Sequence, residues 1–188
     1  NGLASPAVTL EGGTLDLNGF SDTVGAVTLI DGSIINSGGA ATLTSTATYT
    51  VENGTISAVL GSAVAAGIAK NTAGRVIILG DNTFTSTSIA VNAGFLNVRH
   101  SNALGAAGTA LATTISGGAT LELENGITLP ATKTITANGT GVAKAGAIRN
   151  VSGTNVISAN IVLGTTNVRI NSDAGTLTIP SVSGNTFN

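Results

Sequence analysis

The chain has 188 residues, of which 9% are charged, 3% are aromatic and none is cysteine, methionine or tryptophan, and its net charge is −2. These counts exclude disulfides and thiolate metal sites, and seven scattered basic residues without an aromatic platform argue against nucleic acid as a partner. No run of about eighteen apolar residues occurs, so the sequence predicts no segment that spans a membrane. The mean hydropathy of +0.42 and the alternation of apolar residues argue against disorder.

A short unit recurs along the chain, consisting of a turn with glycine followed by a strand in which apolar and polar residues alternate. Its clearest copies begin at residues 12, 93 and 117. The glycines that mark the copies recur at a period of about 20 residues, which is typical of stacked rungs in a solenoid. The intervals lengthen in the second half of the chain, and this drift predicts side loops after Gly94, above all between Gly118 and Gly175. The eight marking glycines are Gly13, Gly32, Gly54, Gly74, Gly94, Gly118, Gly146 and Gly175.

Short strands are predicted throughout the chain, because alternating apolar residues are separated by turn residues. Residues 61–70 are rich in alanine, a strong helix former, but the flanking glycines favour a loop or a poorly patterned strand. In chain order, the predicted strands are 8–10, 14–17, 27–30, 34–35, 41–44, 49–51, 56–60, 75–79, 83–87, 89–91, 95–98, 113–115, 120–123, 127–129, 134–136, 147–151, 156–157, 161–163, 167–170 and 177–179.

Two all-β architectures fit this pattern. Asn-Gly turns at Asn18, Asn53, Asn125 and Asn138 are compatible with the hairpins of an antiparallel sandwich. The regular period, the small and β-branched apolar residues and the low aromatic content favour a right-handed, single-stranded parallel β-helix of about eight rungs. We expect one solenoid segment over residues 1–188, which at about 4.8 Å per rung is about 40 Å long.

Both termini fall inside the repeat pattern, which predicts that the chain is a segment of a longer repeat polypeptide. Open solenoid ends expose strand edges that pair with other chains. The expected partners are therefore flanking solenoid repeats, or identical subunits stacked end to end.

The stretch from Gly74 to Gly105 resembles the passenger-associated strand repeats of bacterial autotransporters and related large surface proteins. Residues 13–19 and 118–126 are similar to that family's Gly–Ala–Thr–Leu–x–Leu–x–Gly element, and residues 145–153 are similar to another of its recurring segments. The resemblance implies a right-handed parallel β-helix at the cell surface or released from it, and it implies no activity, because the repeat is a spacer. The stretches that match the strand repeat are 76–79, 81–85, 91–98 and 102–105.

The ionisable residues predict no catalytic site, no metal site and no bound cofactor. Glu122 and Glu124 share one side of a strand, about 7 Å apart, and their alternation with Leu121 and Leu123 predicts a solvated surface rather than a catalytic pair. His100 is the sole histidine, so we expect it to pack in a turn rather than bind zinc. Calcium would need several oxygen ligands, whereas the turn aspartates, which are Asp31, Asp81 and Asp173, supply one carboxylate each.

Threonine alternation is the most distinctive surface pattern. Stacked Thr-x-Thr on a flat solenoid side can bind ice, but threonine is also a common exposed strand residue, and the tracts do not recur at every rung. Turn asparagines are expected to stack in ladders that satisfy polar groups. The threonine tracts are 42–44, 46–50, 83–87 and 132–136, and the asparagines are Asn18, Asn53, Asn82, Asn97 and Asn125.

The expected function is non-enzymatic. We expect a structural stalk or fibre segment of an extracellular or cell-surface bacterial protein, attached to the outer membrane or secreted. The alternative is an adhesin or another binding module that recognises a glycan, host matrix or ice through its threonine-rich sides. A glycan-cleaving enzyme is the weakest of the three hypotheses.

Overall fold

The structure is a computed structural model that describes residues 5–63, 67–85, 88–165, 167–180 and 182–184. These ranges contain twenty-one short strands and one 3-10 helix, Val142–Lys144. In chain order, the strands are β1 Val8–Asp16, β2 Asp22–Val24, β3 Val27–Ile35, β4 Thr42–Ser45, β5 Tyr49–Val51, β6 Gly54–Ile56, β7 Val59–Ser62, β8 Ile68–Lys70, β9 Arg75–Ile78, β10 Ile89–Val91, β11 Phe95–Val98, β12 Leu111–Ile115, β13 Thr120–Leu123, β14 Thr128–Leu129, β15 Lys133–Ala137, β16 Ile148–Asn150, β17 Thr154–Ile157, β18 Asn160–Leu163, β19 Ile170–Ser172, β20 Thr176–Thr178 and β21 Val182–Gly184.

The strands form the three sides of a β-solenoid. The first face comprises β5, β8, β10, β12, β15, β18 and β21, and the second face comprises β6, β9, β11, β13, β16 and β19. The long strands β1 and β3 bend around the corner and contribute to both faces. The third face comprises β2, β4 and β7 near the N-terminal end and β14, β17 and β20 near the C-terminal end.

All pairs between these strands are parallel, and each strand pairs with its counterpart one turn away. The described chain completes about eight turns, and β21 begins another. The predicted parallel β-solenoid of about eight rungs is confirmed, and the antiparallel sandwich is wrong. Its right-handed sense stays a prediction.

The core follows from alternation along each strand, because successive side chains point to opposite sides of a sheet. On the second face Leu96, Leu121 and Ile148 lie in register one above another, and none is exposed. Tyr49 is the largest fully buried side chain, and its hydroxyl donates to the carbonyl oxygens of Leu43 at 2.7 Å and Gly61 at 2.6 Å. Burial raises the pKa of this phenol, so Tyr49 satisfies backbone acceptors as a neutral donor.

Glycine is required at the corner between the first and second faces. Gly54 has φ +118°, and a β-carbon there would lie 2.2 Å from the carbonyl oxygen of Gly32 one turn below. Gly94 has φ +66°, and its β-carbon would lie 2.4 Å from the carbonyl oxygen of Gly74. Backbones of successive turns therefore approach too closely for a side chain, and the positive φ favours glycine independently.

One of the marking glycines was assigned to the wrong corner. Gly175 precedes β20 on the third face and packs on Gly153, not above Gly146. The true counterpart of Ile148 one turn later is Ile170, so this turn has an ordinary length. The last interval between marking glycines is long because Gly146 and Gly175 lie at different corners of the solenoid. Glycine occurs at more than one corner of a turn, so the sequence alone does not distinguish them.

Long connections lie after Gly94, as the spacing predicts, but one also lies before it, because the connection between β9 and β10 has as many residues as the one over 138–147. Residues 99–110 and 138–147 are long connections between strands that follow Gly94, and the second one contains the 3-10 helix between Gly118 and Gly175.

The predicted strand 83–87 is wrong for its described residues, 83–85, which are irregular. Next to this segment, the side chain of Asn82 accepts a hydrogen bond from the backbone N–H of Leu60 at 2.9 Å and donates one to the carbonyl oxygen of Ala103 at 2.8 Å. These side-chain bonds connect neighbouring turns where no strand of the described chain does. Of the alanine-rich stretch, residues 64–66 lie outside the described ranges and residues 68–70 form β8.

Candidate functional site

The outward side of the second face holds a row of charged and polar residues that we call the ionic strip: Arg75, Asn97, Glu122, Arg149 and Asp173. Asn97, Glu122 and Arg149 are direct register partners on β11, β13 and β16. Strand alternation directs these side chains away from the core, and the parallel ladder brings them within reach of one another. The strip therefore links side chains from five successive turns.

Glu122 is the centre of the strip and has no exposed surface. Its carboxylate forms an ion pair with Arg75, accepts from Nη1 of Arg149 at 2.9 Å, and accepts from Nδ2 of Asn97 at 3.1 Å. The prediction that Glu122 lies on a solvated surface is wrong, because arginines from the turns on either side cover it. A carboxylate held by two guanidinium groups is not free to act on a substrate.

The strip continues to Asp173 in the next turn. Nε of Arg149 donates to Oδ2 of Asp173 at 2.7 Å, and Nδ2 of Asn171 donates to Oδ1 at 2.6 Å. The hydrogen bond with Arg149 lowers the pKa of Asp173, and the same contact raises the pKa of Arg149. At the other end of the strip, the guanidinium carbon of Arg75 lies 4.4 Å from the centroid of the Phe95 ring, a cation–π geometry.

A cleft of about 220 Å³ lies beside the strip, lined by Leu79, Arg99, Glu124, Asn125 and Ser152. Nη2 of Arg99 and Oε2 of Glu124 are 2.8 Å apart, and both side chains are partly exposed. Because the two charges compensate each other, the cleft offers hydrogen-bond donors and acceptors without net charge. This chemistry is compatible with a small neutral polar molecule.

His100 follows Arg99, which lines this cleft, and Asp81 lies one solenoid turn earlier. Nδ1 of His100 accepts the backbone N–H of Asn102 at 3.1 Å and is 3.8 Å from Oδ1 of Asp81. Nδ2 of Asn102 donates to that same Asp81 oxygen at 2.8 Å. These contacts give His100 a turn-stabilising role.

The turn aspartates that were considered for calcium lie in different turns, and Asp31 accepts from Nδ2 of Asn53 at 2.8 Å. Within the described ranges, no three residues among histidine, aspartate and glutamate come together in a way that could hold a metal ion.

Two lysines point into the tube, which sequence reasoning missed. Nζ of Lys70 donates to the carbonyl oxygens of Thr72 and Ala93, and Nζ of Lys133 donates to those of Ala106 at 2.6 Å and Thr109 at 2.9 Å. Burial lowers the pKa of both ammonium groups. Alternation in the sequence could have predicted the inward direction of these lysines, because each lies two residues from an inward isoleucine on the same strand.

Two of the predicted threonine tracts contribute one residue each, Thr50 and Thr136, to a column of outward residues on the first face, whereas the tract 42–44 lies on the third face. On the first face Thr28 pairs with Thr50, and Thr114 pairs with Thr136, all in one outward column. Between these two pairs the same column contains Ala69 and Ala90. We call this column the threonine column; it is made of small uncharged side chains but is interrupted in two turns.

The five asparagines of the predicted ladder do not stack on one another, although Asn53, Asn82 and Asn125 do bond to polar groups of a neighbouring turn, as predicted. Asn97 belongs to the ionic strip, Asn82 points inward, and both side chains are buried. A short polar ladder exists elsewhere, where Nδ2 of Asn92 donates to Oδ1 of Asn71 at 2.8 Å and the hydroxyl of Ser116 donates to Oδ1 of Asn92 at 3.2 Å.

No family model matches the chain, and it has no match among the curated proteins or the solved structures. In the described part of the chain, no helix has the length and apolar character needed to cross a bilayer.

Proposed function

We propose that this chain is a segment of a non-enzymatic stalk or fibre in an extracellular bacterial surface protein, of the kind found in autotransporter passenger regions. The observation that supports this proposal is the parallel backbone ladder, which joins each turn to the next along the first and second faces through about eight turns. In a solenoid the ladder hydrogen bonds run along the tube axis, so bending or stretching the tube must distort many of them together.

The ionic strip adds to this stiffness. Its side chains join turns that the backbone already connects, and Glu122 has cationic partners in turns on both sides of its own. A segment with such links holds whatever lies beyond it at a fixed distance from its attachment point, which is the task of a stalk.

Electron microscopy of the native polypeptide that contains this sequence tests the proposal. We expect rods or filaments, and in-frame deletion of residues 1–188 should shorten the rod by about 40 Å, which is eight rungs of about 4.8 Å. Replacing the segment with the same number of turns from an unrelated solenoid should restore both the length and the function of the whole protein. Compact particles, or loss of function that the replacement does not restore, would contradict the stalk.

A second candidate is a binding module, which the threonine column favours because it presents flat, small and uncharged side chains. Wild-type chain should then inhibit ice recrystallisation or bind glycans or matrix proteins on arrays, and Thr114→Lys should abolish that activity. Thr44→Lys is the matched control, because Thr44 points outward on the third face. Blank results with ice, glycans and matrix proteins would remove this candidate.

A further inference from the structure

Four asparagines within the described ranges are followed by glycine, and their surroundings differ. In such a pair the backbone nitrogen of the glycine can attack the side-chain amide carbon of the asparagine, because glycine has no β-carbon that hinders the approach. The attack needs a glycine N–H without an acceptor, an amide that can rotate and space for the backbone to move. The four asparagines are Asn18, Asn53, Asn125 and Asn138.

The pair at Asn18 is held at its glycine. The backbone N–H of Gly19 donates to Oδ1 of Asn36 in the next turn at 2.8 Å. A β-carbon at Gly19 would lie 2.9 Å from the backbone nitrogen of Gly39, so the backbone also has little space to rotate. The nitrogen that would attack is therefore engaged and closely packed.

The pair at Asn53 is held at the asparagine side chain. Nδ2 of Asn53 donates to Oδ1 of Asp31 at 2.8 Å, and its Oδ1 accepts the backbone N–H of Arg75 at 3.3 Å. The amide is thus bonded to the turn on either side, and its rotation must break both bonds. The backbone has no space either, because Gly54 lies against the carbonyl oxygen of Gly32.

The pair at Asn138 is held at both residues. Nδ2 of Asn138 donates to the carbonyl oxygen of Ile115 at 2.8 Å, and the backbone N–H of Gly139 donates to Oγ1 of Thr165 at 2.9 Å. Neither the amide nor the nitrogen can move toward the other without breaking a bond to a neighbouring turn.

The pair at Asn125 meets all three requirements. Asn125 and Gly126 are both exposed, and among the described residues the backbone N–H of Gly126 has no acceptor. A β-carbon at Gly126 would have its nearest neighbour, the carbonyl oxygen of Thr154, as far away as 3.9 Å. Nδ2 of Asn125 donates one hydrogen bond, to the carbonyl oxygen of Arg99 at 3.1 Å.

We propose that Asn125 is a self-modification site, at which the asparagine of the folded protein is converted to aspartate and isoaspartate by its own backbone and water. The nitrogen of Gly126 bonds to Cγ of Asn125, the bond from Cγ to Nδ2 breaks, and Nδ2 leaves as ammonia with the proton of the backbone N–H. The product is a cyclic imide. Water then opens the ring at Cγ to give aspartate, or at the main-chain carbonyl carbon to give isoaspartate.

This conversion changes the cleft beside the ionic strip, because Asn125 is part of its lining. The neutral amide becomes a carboxylate, so a negative charge is added to the compensated charges of Arg99 and Glu124. The hydrogen bond from Nδ2 to the carbonyl oxygen of Arg99 is lost with the nitrogen. The charge of the cleft then changes with the age of the protein. The inference goes beyond the proposed stalk function and does not depend on it.

Peptide mapping by mass spectrometry tests the proposal on the folded 188-residue chain during incubation at mildly alkaline pH. We expect Asn125 to lose its amide at least about tenfold faster than the other three asparagines, because those pairs must first break hydrogen bonds with neighbouring turns. In guanidinium chloride, where the turns no longer contact one another, the four rates should become similar. Isoaspartate-specific methylation of the aged folded chain should label residue 125.

Two variants separate the role of the structure from that of the local sequence. Asn36→Ala removes the acceptor that holds the N–H of Gly19, so Asn18 should lose its amide severalfold faster than in wild type, while the rate at Asn125 stays unchanged. Asn125→Gln is the matched control at the site, because the same attack would have to close a larger ring. In this variant the first acidic species that wild type forms, separated by anion exchange, should be missing. Far-UV circular dichroism checks that each variant remains folded.

Equal rates at the four pairs in the folded chain, or the same order of rates in the folded and unfolded chains, would overturn the proposal. An unchanged rate at Asn18 in Asn36→Ala would overturn its physical basis. None of these outcomes alters the rods expected for the native polypeptide, so a failure of this inference is distinguishable from a failure of the stalk.

Discussion

The first and second faces have the same backbone architecture and different outer surfaces. Both are parallel ladders on the same turns, and both place apolar side chains inward at alternate positions. On the outside, the second face has the ionic strip and the Arg99–Glu124 pair, whereas the first face has the small side chains of the threonine column. The ladder therefore fixes the register, and the outward residues decide what that register brings together.

This difference separates two sources of stability. The threonines and alanines of the threonine column carry no charge and cannot form ion pairs across turns, so the backbone ladder and the core must hold the first face. On the second face, side chains of opposite charge are stacked by the same register, and the buried position of Glu122 makes their interaction stronger than that of an exposed ion pair.

The largest expected effect concerns the corner that both faces share. Gly54→Ala should destabilise the chain by about 3 kcal/mol, because a β-carbon meets the carbonyl oxygen of Gly32 at a positive φ that alanine rarely adopts. The measurement is the difference in the free energy of unfolding in urea between wild type and Gly54→Ala. An unfolding free energy within about 0.5 kcal/mol of wild type would show that the corner can relax and is not a tight backbone contact.

Gly118→Ala is the matched control for this change. Gly118 also has a positive φ, +88°, but no atom lies within 4 Å of the position of its added β-carbon. We expect a loss of about 1 kcal/mol from backbone conformation alone. The difference between the two variants isolates the cost of the close approach between turns.

The second prediction tests the contrast between the two faces directly. Glu122→Gln should cost about 2–3 kcal/mol, because Arg75 and Arg149 lose their shared carboxylate, although both arginines stay partly exposed and can be hydrated. Thr114→Ala, which changes an outward residue of the first face in the same turn, should change stability by less than about 0.5 kcal/mol.

Salt distinguishes the two effects further. The cost of Glu122→Gln should persist at high salt, since a buried pair is screened much less than an exposed one. If both substitutions cost the same, or if salt removes the effect of Glu122→Gln, the strip is an ordinary surface network and the contrast between the faces fails.

The fold could be predicted because its determinants are local and repeated. Glycine turns such as Gly13 and Gly94 and alternating strands such as residues 95–98 predict rungs without any knowledge of partners at a distance. The error at Gly175 has a physical cause, because a corner on the third face uses the same small residue as the corner between the first and second faces, and one sequence cannot tell which corner a glycine occupies.

The ionic strip could not be predicted because it depends on register between turns of unequal length. The interval from Asn97 to Glu122 is shorter than the interval from Glu122 to Arg149, and loops of different size absorb the difference. Alternation correctly predicts that the Glu122 side chain points away from the core. It wrongly predicts that the side chain is exposed to solvent, because the arginines of other turns cover it. The inward lysines were not predicted, because a charged side chain is rarely buried even where alternation with isoleucine directs it into the core.

The smallest predicted effect concerns Lys70, whose ammonium lies inside the first face. Burial lowers the pKa of Lys70 below its ordinary value of 10.5, so between the lowered value and 10.5 the unfolded chain binds more protons than the folded chain. Stability therefore rises with pH in that window. Urea unfolding at increasing pH up to about 10 should show the unfolding free energy of wild type rising once the pH passes the lowered pKa of Lys70.

In Lys70→Met this rise should be smaller, and in Lys70→Met with Lys133→Met it should be smaller still, because burial also lowers the pKa of Lys133. Methionine keeps most of the aliphatic packing and removes the titrating group, so a change in pH slope reports protonation rather than lost volume. Equal slopes in wild type and both variants would mean that the two ammonium groups are hydrated in the folded tube, and that the inner side of the first face is open to water at these corners.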